Sequence, residues 1–311
     1  MTGSIAAERI STPQADDPMA VRVEGLGKYY PGRWRREGVW ALRDCSFEVP
    51  KGRVAALVGR NGAGKTTLLS VLSGLLTPTE GVARIEGVDL TRGRRGARVS
   101  FVAQDKPLYR RFTAMDTLRT GADLNRVWDQ DRALRWLHRF EVPLDRPCAT
   151  LSGGQQAQVS FALALGAKPS VLLLDEPLAN LDPLVRREVM GELLTDVADT
   201  GMTVLLSTHI VTELAGVADY LLLLADGALR ADGDLDDILE GHRHIVGPRA
   251  DTPPVPGDVL HARHTETQST FLVRISSPPT TLAPPWTVRE VTLEDFVLAH
   301  LDTTTLRETT A

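Results

Sequence analysis

Apolar residues fall into two rhythms along this chain. Early on they alternate: Val21, Val23, then Leu26, leading into Lys28-Tyr29-Tyr30, and again over Ala41–Val49, where Leu42, Cys45, Phe47 and Val49 are the candidate inward positions. Alternation of this kind predicts strands with one buried face. Later strands read differently. Val54–Val58, Val171–Leu174, Val204–Leu206 and Leu221–Ala225 are unbroken apolar runs, the mark of strands covered on both faces. Shorter runs at Val82–Ile85 and at Val99–Ala103, the latter a buried strand ending in Gln104, add two more. Between them, helical spacing predicts helices over Thr66–Leu76, Thr113–Leu124 and Asp129–Arg139, after Gln155 to about Gly166, and from Asp182-Pro183, with Asp as N-cap and Pro in the first turn. Short buried strands alternating with helices predict an α/β fold: a mostly parallel sheet wrapped by helices, with the alternating strands as an antiparallel β subdomain.

Punctuation divides the chain further. Residues 1–20 read as a disordered leader, polar and Ala-rich, with no apolar core of the signal-peptide kind. Pro31–Gly38 carries arginines and a tryptophan, as a solvated hairpin insertion would, and Thr91–Arg98 is a basic loop with Arg92, Arg94, Arg95 and Arg98. The middle third, about 105–165, is a helical insert. Near Glu240 the composition changes, and residues 241–311 hold eight of the 19 prolines. In this small α+β C-terminal extension, Leu260–His264 and Phe271–Ile275 should pair across a Glu266–Ser269 turn, and Thr292–Leu301 should close it as a helix. His242, His244, His261 and His264 could suggest a metal site, but no cysteine or carboxylate cluster joins them, so they are expected to be plain surface residues.

Composition narrows the partners. The 311 residues allow one large domain, or one plus a small one. A net charge of −5 argues against nucleic acid, whose phosphates demand a basic surface. Cys45 and Cys148 form no disulfide framework and are expected as reduced thiols in a cytoplasmic protein. No apolar run approaches the roughly 20 residues that span a bilayer.

The chemistry begins at Gly59-Arg60-Asn61-Gly62-Ala63-Gly64-Lys65-Thr66-Thr67, two glycines followed by Lys and a hydroxyl residue, between a predicted strand and a predicted helix. Glycines let the backbone turn with positive φ, so that successive N–H groups face phosphate oxygens. The helix N-terminus aims its dipole at the same anion. Lys65 would reach the β and γ phosphates, and Thr66 would place its hydroxyl on a magnesium ion. This is a nucleotide phosphate site.

Further motifs follow in a fixed order: an upstream tyrosine, the phosphate loop, Gln104, Leu151-Ser152-Gly153-Gly154-Gln155, Asp175-Glu176, Ala179–Asp182 and His209. Together they resemble the ATP-binding subunit of ABC transporters over about residues 21–240; the export-type branch associated with drug or antibiotic efflux is implied by the 291–296 segment alone. Gly59–Thr66 looks like the Walker A loop, Leu151–Gln155 is an LSGGQ signature, Val171–Glu176 looks like Walker B, Ala179–Asp182 like the D-loop and His209 like the switch histidine. The resemblance implies a P-loop NTPase of the ABC ATPase fold that binds ATP and Mg²⁺, with a second ATP-binding subunit and a separate transmembrane permease as partners. It also implies a cytoplasmic place at the inner face of the membrane.

Each residue then has an expected task. Asp175 would hold magnesium with Thr66, and Gln104 would offer its amide oxygen to magnesium or water. Glu176, one position along, would orient or deprotonate the attacking water. His209 could donate to the γ-phosphate through a ring N–H. Either Tyr30 or its neighbour Tyr29 would stack on adenine. In the family, Ser152, Gly153 and Gly154 contact the γ-phosphate held by a second subunit, which makes the active species a head-to-tail dimer. Gln158 and Leu163 stand where basic residues are common in the family, which predicts the loss of a contact across the interface or to the insert. The segment Val291-Thr292-Leu293-Glu294-Asp295-Phe296 resembles endings of export-type subunits.

Overall fold

The computed structural model describes residues 18–32, 37–92, 96–105, 107–179, 181–214, 216–275 and 282–301. The leader up to residue 17, the arginines at 94 and 95, Lys106, Asn180 and the last ten residues lie outside them, as does the side chain of Arg92.

The strands and helices run in the order β1 (Met19–Tyr30), β2 (Val39–Pro50), β3 (Val54–Val58), α1 (Lys65–Leu72), β4 (Glu80–Ile85), β5 (Val88–Asp89), β6 (Val99–Val102), α2 (Ala114–Leu124), α3 (Gln130–Arg139), α4 (Gly153–Gly166), β7 (Val171–Asp175), α5 (Pro183–Thr200), β8 (Thr203–Thr208), β9 (Tyr220–Ala225), β10 (Ala228–Asp234), α6 (Leu235–Glu240), β11 (His242–Pro248), β12 (Asp258–His264), β13 (Gln268–Arg274), β14 (Thr287–Arg289) and α7 (Leu293–Leu301). The expected leader of 1–20 overlaps β1, which starts at Met19, and Ala20 is buried.

Three sheets form. The central one has the order β10-β9-β3-β8-β7-β6, parallel except at β10. An antiparallel sheet, β2-β1-β4-β5, covers one side of it. The unbroken apolar runs are explained by two cores. In β7, Leu172 and Leu174 face the larger core under the helices, while Val171 and Leu173 face the smaller core under the antiparallel sheet. β3, β8 and β9 divide their residues in the same alternating way. Burying both faces forces every second residue to be as apolar as the first. On β2 only one face is needed, and Leu42, Cys45, Phe47 and Val49 are all buried there.

One expectation needs correction here. β6 is the outer strand of the central sheet, and of its four residues only Val102 is buried, so Val99–Ala103 is not a fully covered strand.

The helical insert is stitched to α4. Trp136 of α3 stacks on Phe161 with ring centres 5.3 Å apart and donates its indole N–H to Gln158 at 2.8 Å. The loss of a contact expected at Gln158 is therefore not simple: the residue is 3% exposed and its amide oxygen is taken up by Trp136, while its buried NH2 group has no hydrogen-bond partner among the described residues. Leu163 lies against Gly121 of α2, where an added Cβ would come within 2.5 Å of it.

In the extension, β12-β13-β11-β14 form a third antiparallel sheet. The expected pairing of 260–264 with 271–275 takes the form of β12 and β13, but the turn is shorter than the expected Glu266–Ser269, because Ser269 is already in the ladder opposite His264. One face makes a small core of Ile245, Phe271, Val273 and Ile275. From the other face Leu272, together with Val291, Phe296 and Val297, joins the larger core of the nucleotide domain, beside Leu214 and Leu235. The histidines are not all surface residues as expected. His242 is 7% exposed, donates its Nδ1–H to the Ile238 carbonyl at 2.6 Å, and meets Phe296 edge-on. His244 is half-buried, 3.5 Å from Asp295. Among the described residues no group of three or more His, Cys, Asp or Glu could hold a metal.

Candidate nucleotide site

Parallel strands deliver their carboxyl ends to one edge of the central sheet. Val58 lies opposite Thr208, Asp175 opposite Ser207, and Val102 opposite Leu174. The loop after β3, Gln104 after β6, Asp175-Glu176 at the end of β7 and His209 after β8 must then gather at that edge, where ligands bind in open α/β sheets.

The loop 59–64 is shaped by backbone that only glycine tolerates. Gly62 has φ 84° and Gly64 φ 108°. At Gly64, an added Cβ would lie 2.5 Å from the Ala41 carbonyl oxygen. Gly64 is also the N-cap of α1, with no side chain to satisfy the first-turn N–H groups, which leaves them free for an anion. Lys65 is 5% exposed. Its Nζ donates to the carbonyls of Gly59 at 2.8 Å and Arg60 at 3.3 Å and lies 3.6 Å from Glu176 Oε1. Arg60, Asn61, Gly62 and Thr66 are exposed around it, with Ala63 and Gly59 buried behind and Thr67 half-buried.

Glu176 is the hub. Its Oε1 is 3.1 Å from His209 Nδ1 as well as 3.6 Å from Lys65. Its backbone has φ 44°, unusual for a residue with a Cβ. Asp175, 1% exposed, accepts from Ser207 Oγ at 2.7 Å, and the same oxygen accepts the Glu176 N–H at 3.0 Å. The donor set suits magnesium, a hard ion that takes few protein ligands and completes its shell with phosphate and water. Thr66 offers a hydroxyl, Asp175 a carboxylate and Gln104, exposed at its strand end, an amide oxygen.

The signature lies elsewhere. Ser152 caps α4 in a reciprocal box: Gln155 N–H donates to Ser152 Oγ at 3.2 Å, and Gln155 Oε1 accepts the Ser152 N–H at 3.1 Å. Ser152 and Gly153 are exposed. Asp182 caps α5 through Oδ1, accepting from Leu184 and Val185 N–H at 3.1 and 3.0 Å. Ser152, Gly154, Gln155 and Asp182 line one cleft of about 540 Å³ with Gln158 at its wall, and neither Lys65, Glu176 nor His209 borders it. The chain thus keeps these residues in a cleft separate from Lys65, Glu176 and His209.

The tyrosine pair separates. Tyr29 leans on Trp40 with ring centres 5.3 Å apart, whereas Tyr30 is 41% exposed with Lys28 Nζ over its ring at 5.5 Å. Two further residues escaped the sequence reading. Arg186 Nε donates to the Leu181 carbonyl at 2.7 Å while its guanidinium pairs with Glu213, tying the D-loop to the turn after His209. Ser207 was visible only as a hydroxyl in a buried strand.

The family model described as ABC transporter matches residues 42–179, and an AAA-domain model matches 145–215. The putative ABC transporter ATP-binding protein SCO3161 of Streptomyces coelicolor is 35% identical over 261 residues, spanning 78% of this chain and 94% of that protein. The chain belongs to the ABC transporter ATP-binding proteins. Members of this family are ATPases, and the fold is their P-loop cassette. The dimeric structure of a post-hydrolysis state of the ATP-binding cassette MJ0796, bound to ADP and Pi, is similar with a TM-score of 0.62 and 26% identity, over 69% of this chain and 98% of that one. The molybdenum import ATP-binding protein ModC of Mycobacterium tuberculosis is 36% identical over 222 residues, 66% of this chain. The match spans only 60% of ModC's own length.

Proposed function

We propose that this protein is the ATP-binding and hydrolysing subunit of a membrane transporter, driving a separate permease. The carrying observation is the meeting of Lys65, Asp175, Glu176 and His209 at one edge of the sheet, while Ser152 and Gly153 point outward from another cleft. The loop N–H groups and Lys65 bind the phosphates. Thr66, Asp175 and Gln104 would hold magnesium, which would supply charge neutralisation at the transferred phosphoryl group. Glu176 takes the proton of the attacking water, and His209, now 3.1 Å from that carboxylate, orients it or donates to the γ-phosphate. Ser152, Gly153, Gly154 and Gln155, with Asp182 alongside, complete the site of a second ATP-binding subunit through an exposed helix N-terminus. MJ0796 is dimeric by its description, which supports that arrangement.

The permease contact fits the start of the helical insert. Just past Gln104, Tyr109 is 70% exposed and Phe112 36% exposed, their rings 5.0 Å apart in one exposed apolar patch. No helix among the described residues is long and apolar enough to cross a membrane, so attachment at the inner face comes through that partner. A net charge of −5 gives anionic lipid no purchase.

On direction, export of a drug- or antibiotic-like compound is supported by the 291–296 segment, which forms the entry to α7 and packs Val291 and Phe296 into the main core. Import is the second reading, since ModC and the Rhizobium meliloti CysA proteins are named for molybdenum and sulfate/thiosulfate import. The purified chain should hydrolyse ATP with Mg²⁺, and it should fractionate with membranes only when its permease is co-produced. Transport into or out of vesicles carrying that pair decides the direction. Failure to join membranes with the permease present, or binding to protein-free anionic vesicles, would defeat the transporter reading.

A further inference from the structure

We infer that Ser207 is a positioning residue for hydrolysis, setting Asp175 and Glu176 through one hydroxyl. This rests on the proposed ATPase reading of the same site. Ser207 is 1% exposed at the end of β8, directly opposite Asp175 in the parallel register. A hydroxyl has one proton to give and lone pairs to accept with. The proton goes to Asp175 Oδ1 at 2.7 Å, and an accepting lobe takes the Glu176 N–H at 3.0 Å.

Both bonds do something the neighbouring strand could not. The first leaves Asp175 with one carboxylate oxygen committed to Ser207, so its rotamer is fixed and the other oxygen is turned to a single direction. The second lies at a kink. Past Asp175 the strand ladder ends, and Glu176 enters the left-handed region at φ 44°. Such a conformation persists in a residue with a Cβ only when its surroundings hold it. Here the Glu176 N–H has a fixed acceptor in Ser207, and the kink swings the carboxylate to 3.1 Å from His209 and 3.6 Å from Lys65. The metal-side carboxylate and the base-side carboxylate are therefore set relative to each other by a group that touches neither substrate nor metal.

The serine is chosen by size as well as chemistry. β8 is buried along its whole length, and its neighbours Leu205 and Leu206 fill the two cores. Alanine occupies the same space, so Ser207→Ala removes the hydroxyl and little else. Threonine retains the hydroxyl at the cost of one methyl group.

The test reads both arms. Ser207→Ala should lower kcat by roughly 10–100-fold, the range for losing a buried hydrogen bond to a charged group, with KM for ATP changed by less than about threefold. Ser207→Thr should restore most of kcat. A second readout does not depend on turnover. In a Glu176→Gln background loaded with ATP, the Mn²⁺ concentration for half-maximal metal binding, read by electron paramagnetic resonance, should rise several-fold on adding Ser207→Ala and return with threonine. Thermal unfolding of the alanine variant should stay cooperative. Wild-type kcat and metal binding in Ser207→Ala would overturn the inference. So would a parallel loss of ATP binding and folding that threonine fails to rescue, which marks a packing role alone. If Glu176→Gln by itself leaves turnover intact, the ATPase reading of the site fails, whatever Ser207 does.

Discussion

The two clefts of this molecule use polar groups in opposite ways. At the edge of the central sheet, Lys65, Asp175, Glu176 and His209 are drawn together, and each side chain answers another: Lys65 to the loop carbonyls and Glu176, His209 to Glu176, Asp175 to Ser207. Around the signature, Ser152, Gln155 and Asp182 spend their side chains on capping their own helices. What remains available there is backbone N–H and helix dipole, presented on exposed residues. A half-site of the first kind can do chemistry on a bound nucleotide. One of the second kind can only complete a site whose charges are brought by something else. On the proposed reading, that difference is the reason a second subunit is expected.

The sharpest way to break that contrast is Glu176→Gln, which keeps size and hydrogen bonding but removes the base. Hydrolysis should fall by roughly 10²–10⁴-fold while nucleotide affinity survives, and an ATP-trapped dimer should appear on a sizing column. Near-normal turnover would show that the hub of the first cleft is not catalytic.

The second cleft is tested by Ser152→Arg. Its bulk sits on an exposed cap, so each monomer should still bind ATP, measured by a fluorescent nucleotide, while ATP-driven dimerisation is lost. Turnover should drop on the order of 10²-fold, the scale for removing preorganised phosphate donors. If the monomer also stops binding ATP, the two half-sites are one site, and the contrast is wrong.

A smaller effect concerns adenine. Tyr29 is held by Trp40 and by the narrow space at Gly38, where an added Cβ would come within 2.2 Å of its ring, so Tyr30 is the ring left free. Tyr30→Ala should weaken ATP binding by about 1–2 kcal/mol, roughly 5–30-fold, and Tyr29→Ala by much less. A larger loss from Tyr29→Ala reverses the assignment.

Much of the two clefts was legible because their elements are punctuated by residues with few substitutes. Glycines at 62 and 64 need positive φ, an unbroken apolar run needs two cores, and Asp182-Pro183 can hardly be anything but a helix start. Relations across the sheet were not legible. Nothing in the order of residues says that Ser207 faces Asp175, or that Arg186 reaches both the D-loop and Glu213; those follow from register and crossover. Gln158 read as an absent basic residue, yet it is a buried partner of Trp136, 22 positions earlier. The extension was misread most. His242, Arg243 and His244 hid the strand β11, because a polar pattern at a sheet between two packed layers carries no periodic signal, and buried histidines look like exposed ones in sequence.

That extension supplies the mildest test, and it asks whether the 241–301 region is fastened to the nucleotide domain or merely adjacent. His242 sits where they join, its ring edge against Phe296 of α7 and its Nδ1 on the Ile238 carbonyl of α6. Burial pushes its pKa below the usual value of 6.5, outweighing the hydrogen bond to Ile238 that favours the charged form, and the positive charges of His300 and Arg274 act in the same direction as burial. The folded state therefore binds a proton less readily than the unfolded chain. The stabilisation from a neutral His242 is fully present above pH 6.5 and is lost as pH falls below it through the lowered folded value. Because α7 also packs on the turn Val211–Leu214 that follows His209, acid should loosen α7 before it affects the sheet. Hydrogen exchange should show α7 less protected at pH 5.5 than at pH 7.5, after correction for intrinsic exchange rates, with β7 and β8 unchanged. His242→Phe should keep the ring contact and abolish the difference. Equal protection of α7 at both pH values would show that His242 does not govern the docking, and a matching loss in β7 would show that the two regions unfold as one.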